Sequence, residues 1–242
     1  MIPEFLRTVI HLLAAAAIAL LPAPAEAFGQ ERECPVPERF YTFEPPLTKM
    51  AKALTDDREV VIVALGGAST VGLAAGGSGS AWPARLASTI AAKFPSARIK
   101  VVNLAVARQT AKTAAERLDR DVVPLKPTLV IWETGTMEAV RGTDVDEFRE
   151  TVQAGINELR AAGAEVVLMN MQFSRDTDTM INFQPYLIAM RELADANDVP
   201  LFRRRGIMRH WAENDLMDLR ARNGEKRRQV AAKHPPSPGG DR

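Results

Sequence analysis

A single cysteine, Cys34, stands in 242 residues, which excludes an internal disulfide framework and a Cys-rich metal cluster. Charge of one sign is missing as well. With 31 Lys and Arg against 30 Asp and Glu, no global field draws the chain to nucleic acid. The N-terminal apolar run, Val9–Leu21, is broken only by His11 and falls short of the ~20 residues that span a bilayer. Histidine is scarce too: after the N-terminal stretch only His210 and His234 remain. What is present is the make-up of one soluble globular domain, 46% hydrophobic and 25% charged, which excludes disorder over most of the length.

Met1–Arg7, the apolar run and Ala25-Glu26-Ala27 have the order of a secretory signal peptide over residues 1–27, the alternative being a short uncleaved anchor. Cleavage after Ala27 would leave Phe28–Arg242 in the periplasm or outside the cell. No Leu-x-x-Cys lipobox precedes Cys34, so its thiol is expected free or paired with another chain.

Pro35, Pro37, Pro45 and Pro46 punctuate residues 28–58, expected as an extended lead-in around the domain. Glu59–Leu65 is then a short β-branched run stopped by Gly66-Gly67, the pattern of a buried strand. Similar runs recur at Ile99–Leu104, Thr128–Glu133, Glu165–Asn170 and Val199–Phe202. Helical patterns fill the intervals: Trp82–Phe94, Thr110–Val122, Asp144–Ala162 and Pro185–Asn197. Strands alternating with helices predict parallel βαβ units and a three-layer α/β/α sandwich, flavodoxin-like, with a central parallel sheet of about five strands. This single domain is expected over 59–233, followed by a disordered Pro/Gly tail over 234–242.

In such sheets ligands bind beyond the carboxyl ends of the strands. The loop after the first strand is rich in glycine, with six of the chain's 15 between Gly66 and Gly79. It holds neither a phosphate-loop Gly-Lys-Ser/Thr nor a Gly-x-Gly-x-x-Gly, so a nucleotide cofactor is not expected. No metal-ligand pattern is present either.

Gly66-Gly67-Ala68-Ser69-Thr70-Val71-Gly72 resembles the first block, Gly-Asp-Ser-x-Thr-x-Gly, of the SGNH or GDSL-type hydrolases, a family of esterases, lipases and acyl or carbohydrate-ester hydrolases. Val102–Thr110 is similar to the second block and Ile131–Ala139 to the third, Gly-x-Asn-Asp. The resemblance runs from Glu59 to Trp211 and implies the fold of that family. It also implies a serine nucleophile, an Asp-x-x-His pair and oxyanion donors. Aligned on Thr70 and Gly72, the nucleophile position holds Ala68, which has no attacking atom. Arg108 stands for the oxyanion glycine, Met137 for the oxyanion asparagine, and Ala221, in Asp218–Ala221, for the histidine. Ser69 lies one residue out of register; a bulge, with a histidine folded back from the tail, would make it a fallback nucleophile.

These replacements predict a family member without the hydrolytic machinery. The expected cleft is bordered by Gly67, Ser69, Thr70, Arg108, Gly135, Met137 and Glu138, with Glu133 at the third strand's end. Its ligand would be an acylated glycan or small ester with an anionic group for Arg108. Arg108 could instead pair with Glu133 or Glu138 and close the cleft, leaving a structural envelope module. Residues 203–242 carry an excess of six positive charges, and Arg203-Arg204-Arg205 and Lys226-Arg227-Arg228 read either as a solvated face or as a weak contact for an anionic envelope surface over 203–233.

Overall fold

Strand β1 (Glu59–Leu65) is buried from Ile62 onward, as its uninterrupted β-branched run requires. In the computed structural model, which describes residues 36–42, 44–56 and 59–216, β1 pairs in parallel with β2 (Arg98–Asn103) on one side and β3 (Leu129–Glu133) on the other. Beyond β3 lie β4 (Glu165–Met169) and the two-residue β5 (Leu201–Phe202), giving the order β2-β1-β3-β4-β5. The five parallel strands and their covering helices are the expected α/β fold. The expected signal peptide over 1–27, Cys34, Asp218–Ala221, the expected helix over 217–233 with Lys226-Arg227-Arg228, His234 and the expected tail over 234–242 lie outside the described residues.

Alternate strand residues face opposite layers. Val63, Leu65, Val130, Trp132, Val166 and Leu168 form one core with helices α4 (Ala111–Ala115), α6 (Val145–Ala161) and α8 (Gln184–Ala196). Ile62, Leu129, Ile131, Val167 and Met169 form the other with α1 (Thr48–Thr55) and α3 (Trp82–Lys93). The remaining α-helices among the described residues are α2 (Ala68–Val71), α5 (Thr136–Arg141), α7 (Arg175–Asp178) and α9 (Arg204–Glu213).

Two segments depart from the sequence reading. Within the lead-in expected to be extended, residues 48–55 form α1. Met50 and Ala53, three apart, turn into the second core, and Glu165 at the start of β4 accepts the amides of Lys49 (2.8 Å) and Met50 (2.7 Å). That carboxylate satisfies donors that open every helix. The helix expected over Thr110–Val122 is also interrupted, continuing after α4 as a wide π turn at Leu118–Val122. Arg117, between the two pieces, reaches back to the Leu104 carbonyl and to Gln109 Oε1 at 3.2 Å, tying the break to the end of β2.

Candidate functional site

The strand order reverses between β1 and β3, and a crevice opens there beyond their carboxyl ends. Gly66, just past β1, lets the chain pass over a carboxylate. A Cβ on it would stand 2.6 Å from both Glu133 Oε2 and Thr70 Oγ1. The turn continues into α2, which ends at Gly72 in the left-handed region at φ 93°.

Glu133, the last residue of β3, is the hub beneath this turn. Ser69 Oγ lies 2.9 Å from each Glu133 carboxylate oxygen and donates to them. Thr70 Oγ1 also donates to Oε2 and accepts from Trp82 Nε1 at 3.0 Å. Arg204, at the start of α9, donates from Nη2 to Glu133 Oε1 (2.8 Å) and from Nη1 to Ser69 Oγ (3.0 Å). The Arg204 and Glu133 side chains are only 13% and 4% exposed, so each charge depends on the other in place of water. Asn103 Nδ2 bonds the Thr70 carbonyl at 2.7 Å and fixes the turn against β2.

This network defines what Ser69 can do. Its proton points at a carboxylate already neutralised by Arg204, and one oxygen lone pair is occupied by Arg204. Such a carboxylate is a poor base for activating a hydroxyl. No histidine among the described residues assists. His210, the only one among the described residues, packs against Phe40 with ring centroids 6.1 Å apart, and its Nδ1 meets Asn214 Nδ2 at 3.2 Å. At the mouth of the turn stands Ala68, exposed and carrying only a methyl group.

Above the network is a cleft of about 100 Å³, lined by Gly67, Ala68, Ser69, Arg108, Gln109, Glu133, Thr134, Thr136, Met137 and Gln172. The structure thus brings Gly67, Ser69, Arg108 and Met137 of the expected border together. It does not bring Thr70, Gly135 or Glu138 to the cleft. Thr70 is buried in the carboxylate network. Gly135 turns beneath the wall at φ 90°, where a Cβ would stand 2.8 Å from Met171 Cε. Glu138 is 2% exposed and accepts the amides of Ala111 and, at 3.1 Å, Gly135, joining α4 to the turn before α5. Burial pushes its carboxyl up from the ordinary range, against the pull of those two amides.

The considered pairing of Arg108 with Glu133 or Glu138 is therefore not formed. Arg204 holds the first, backbone amides hold the second, and no ion pair to Arg108 exists among the described residues. Arg108 is exposed and adopts φ 62°, the left-handed conformation suited to the glycine that the resemblance implies there. Gln109, Thr134, Thr136, Gln172 and Arg204 belong to the site without having been read from the sequence. The hydroxyls of Thr134 and Thr136 are buried in its wall with no hydrogen-bond partner among the described residues.

Arg203-Arg204-Arg205 is neither a uniformly solvated face nor a free basic patch. Arg204 is spent on Glu133. Arg205 is buried, ion-paired with Asp178, bonded to the Gln172 carbonyl at 3.1 Å and stacked over Phe183 at 4.6 Å. Only Arg203 is exposed.

A model of the Non-GDSL lipase-like family matches residues 33–235. The chain belongs to that family. No curated protein matches this lipase-like chain. Among solved structures it resembles AlinE4, an SGNH-hydrolase family esterase, with 21% identity over 74% of this chain and 98% of that one and a TM-score of 0.55. The acetyl xylan esterase AlAXEase is similar at 21% identity, 72% and 97% coverage and a TM-score of 0.55. A two-domain esterase active on acetylated mannans, crystallised with mannopentaose, is 16% identical over 71% of this chain and 45% of its own, with a TM-score of 0.60. These likenesses establish that the lipase-like protein has the SGNH-hydrolase fold.

Proposed function

We propose that this non-GDSL lipase-like protein is an exported member that does not hydrolyse esters, and that its cleft binds a small acyl or anionic group carried by an envelope glycan. The observation that carries this reading is the state of the two residues at the nucleophile turn. Ala68 faces out with a methyl group, while the Ser69 hydroxyl is committed to Glu133 and Arg204. Two further groups on which acyl transfer would depend are replaced by Arg108 and Met137, both at the cleft. Losing one oxyanion donor typically lowers the rate by about 10²–10³, and here no serine–histidine pair remains among the described residues to be assisted.

Cleft size argues for a small group. At about 100 Å³ it is well below the 300–1,000 Å³ of drug-sized sites and suits an acetyl group. Acetylated polysaccharide is named as the substrate class of two proteins with this fold, which supplies the ligand class tested below. Arg108, exposed on the rim and without an ion pair among the described residues, supplies a fork for a neighbouring carboxylate or phosphate.

The deciding assay is hydrolysis of p-nitrophenyl acetate by the purified full chain beside its Ser69→Ala variant at matched concentration. Equal background rates in both are expected. Turnover lost in the variant would establish Ser69 as a nucleophile and the esterase reading, and turnover kept by both above background would point to another nucleophile. For binding, calorimetry with acetylated xylo-oligosaccharide should show heat that Arg108→Ala weakens; absence of binding by the parent would remove the cleft as a ligand site.

A further inference from the structure

Beyond the edge strand β5 lies a second depression, which shares no lining residue with the cleft above Ser69. Its volume is about 790 Å³, within the range of small-molecule sites. Among the described residues four guanidinium groups line it, from Arg191 on α8, Arg203 after β5, and Arg205 and Arg209 on α9, against the one carboxylate of Asp178. Asp178 is committed to Arg205, which is held in place over the Phe183 ring. Arg209 pairs with Glu213 at 2.6 Å, but both side chains are more than half exposed, so that pair holds the cation only weakly. Arg191 and Arg203 are exposed and have no ion pair among the described residues.

Placing four like charges around one concavity is unfavourable without counter-charge. Burial first, and the Arg209 charge after it, lower the Arg205 pKa from the ordinary guanidinium value. Arg205 is the fixed wall of the groove, neutralised by Asp178. Arg191, Arg203 and Arg209 are left to meet a ligand from different elements. Guanidinium forks match planar carboxylate and tetrahedral phosphate oxygens, and forks on separate elements favour a ligand with several anionic groups over a single ion.

We infer that the groove between α8 and α9 is a binding site for a small polyanion, a molecule of sugar or nucleotide size carrying two or more phosphate or carboxylate groups that bridge Arg191, Arg203 and Arg209. Arg203 and Arg209 provide one side of the grip and Arg191 the other. The site is independent of hydrolysis and of the cleft's occupancy.

Calorimetric titration of the full chain with inorganic pyrophosphate and, separately, with citrate tests the inference and tells a phosphate ligand from a carboxylate one. Binding of at least one probe is expected, weakened about tenfold or more in the Arg191→Gln/Arg203→Gln double variant. Both side chains are exposed, so circular dichroism and thermal midpoint should match the parent. The control is Lys93→Gln, at the end of α3 over the opposite sheet edge; it removes a cation away from the groove and should bind like the parent. No binding of either probe at millimolar concentration overturns the inference. So does equal weakening in the control, which would mean general charge attraction. A third arm uses vesicles containing phosphatidylglycerol: vesicle binding lost in the double variant, without binding of either small anion, would replace the small-molecule site with a membrane surface.

Discussion

Arg204→Met leaves Glu133 ionised beneath the turn with no counter-charge, while its methylene-rich replacement fills most of the same volume. Since the two side chains are 13% and 4% exposed, water compensates little. Breaking such a buried pair from one side typically costs about 3–5 kcal/mol. For a domain of this size each kcal/mol moves the thermal midpoint by about 2–4 °C, so a fall of roughly 6–20 °C is expected. Urea unfolding at neutral pH, followed by Trp fluorescence, measures the loss directly. The double variant Arg204→Met/Glu133→Gln, which removes both charges, should be more stable than Arg204→Met alone. A loss under about 1 kcal/mol at pH 7, or a double variant no more stable than Arg204→Met alone, would refute the account of Glu133 and Arg204 as mutually dependent buried charges.

Gly155→Ala should destabilise by about 1–3 kcal/mol, because a Cβ there would stand 2.4 Å and 2.5 Å from two atoms of the Trp132 ring, which is held rigidly within β3; denaturant unfolding checks it. Glu138→Gln keeps the shape but aims an amide NH₂ at one of the two backbone amides that the carboxyl now receives, for an expected loss of about 1–3 kcal/mol. Because burial raises the Glu138 pKa, its contribution is fullest below the unfolded value and is lost as pH rises through the folded one, so the gap between parent and variant should narrow toward alkaline pH in urea titrations.

The sheet was legible because its central strands β1, β3 and β4 are buried on both faces and therefore read as continuous apolar runs. β3 illustrates this: Leu129–Glu133 is buried throughout, one residue shorter than the run in the sequence. Helix α1 was not legible. The prolines preceding it, Pro35, Pro37, Pro45 and Pro46, suggested an extended path, and the residue that closes its N-terminus, Glu165, lies more than a hundred positions away. The site divides in the same way. Ala68, Ser69, Arg108 and Met137 sit in local blocks around strand ends, and the structure gathers them at one cleft. The Glu133–Arg204 pair spans 71 positions with no spacing pattern to announce it. Arg203, Arg204 and Arg205 looked alike in sequence, yet Arg203 precedes α9 and about 100° of helical rotation separates the two within it. Arg204 neutralises the buried carboxylate, Arg205 is the buried wall of the groove, and Arg203 stands exposed at its edge.

Arg108 has a backbone that its own side chain does not favour. At φ 62° the loop follows a path natural to glycine, and a non-glycine residue in that region carries roughly 1–2 kcal/mol of strain. The contour of the loop is thus set by its surroundings and not by the residue at its apex. On the proposed non-hydrolytic reading, an engineer wishing to install ester chemistry on this scaffold could begin by exchanging side chains at Ala68, Arg108 and Met137, since a glycine at 108 would fit the loop path already present.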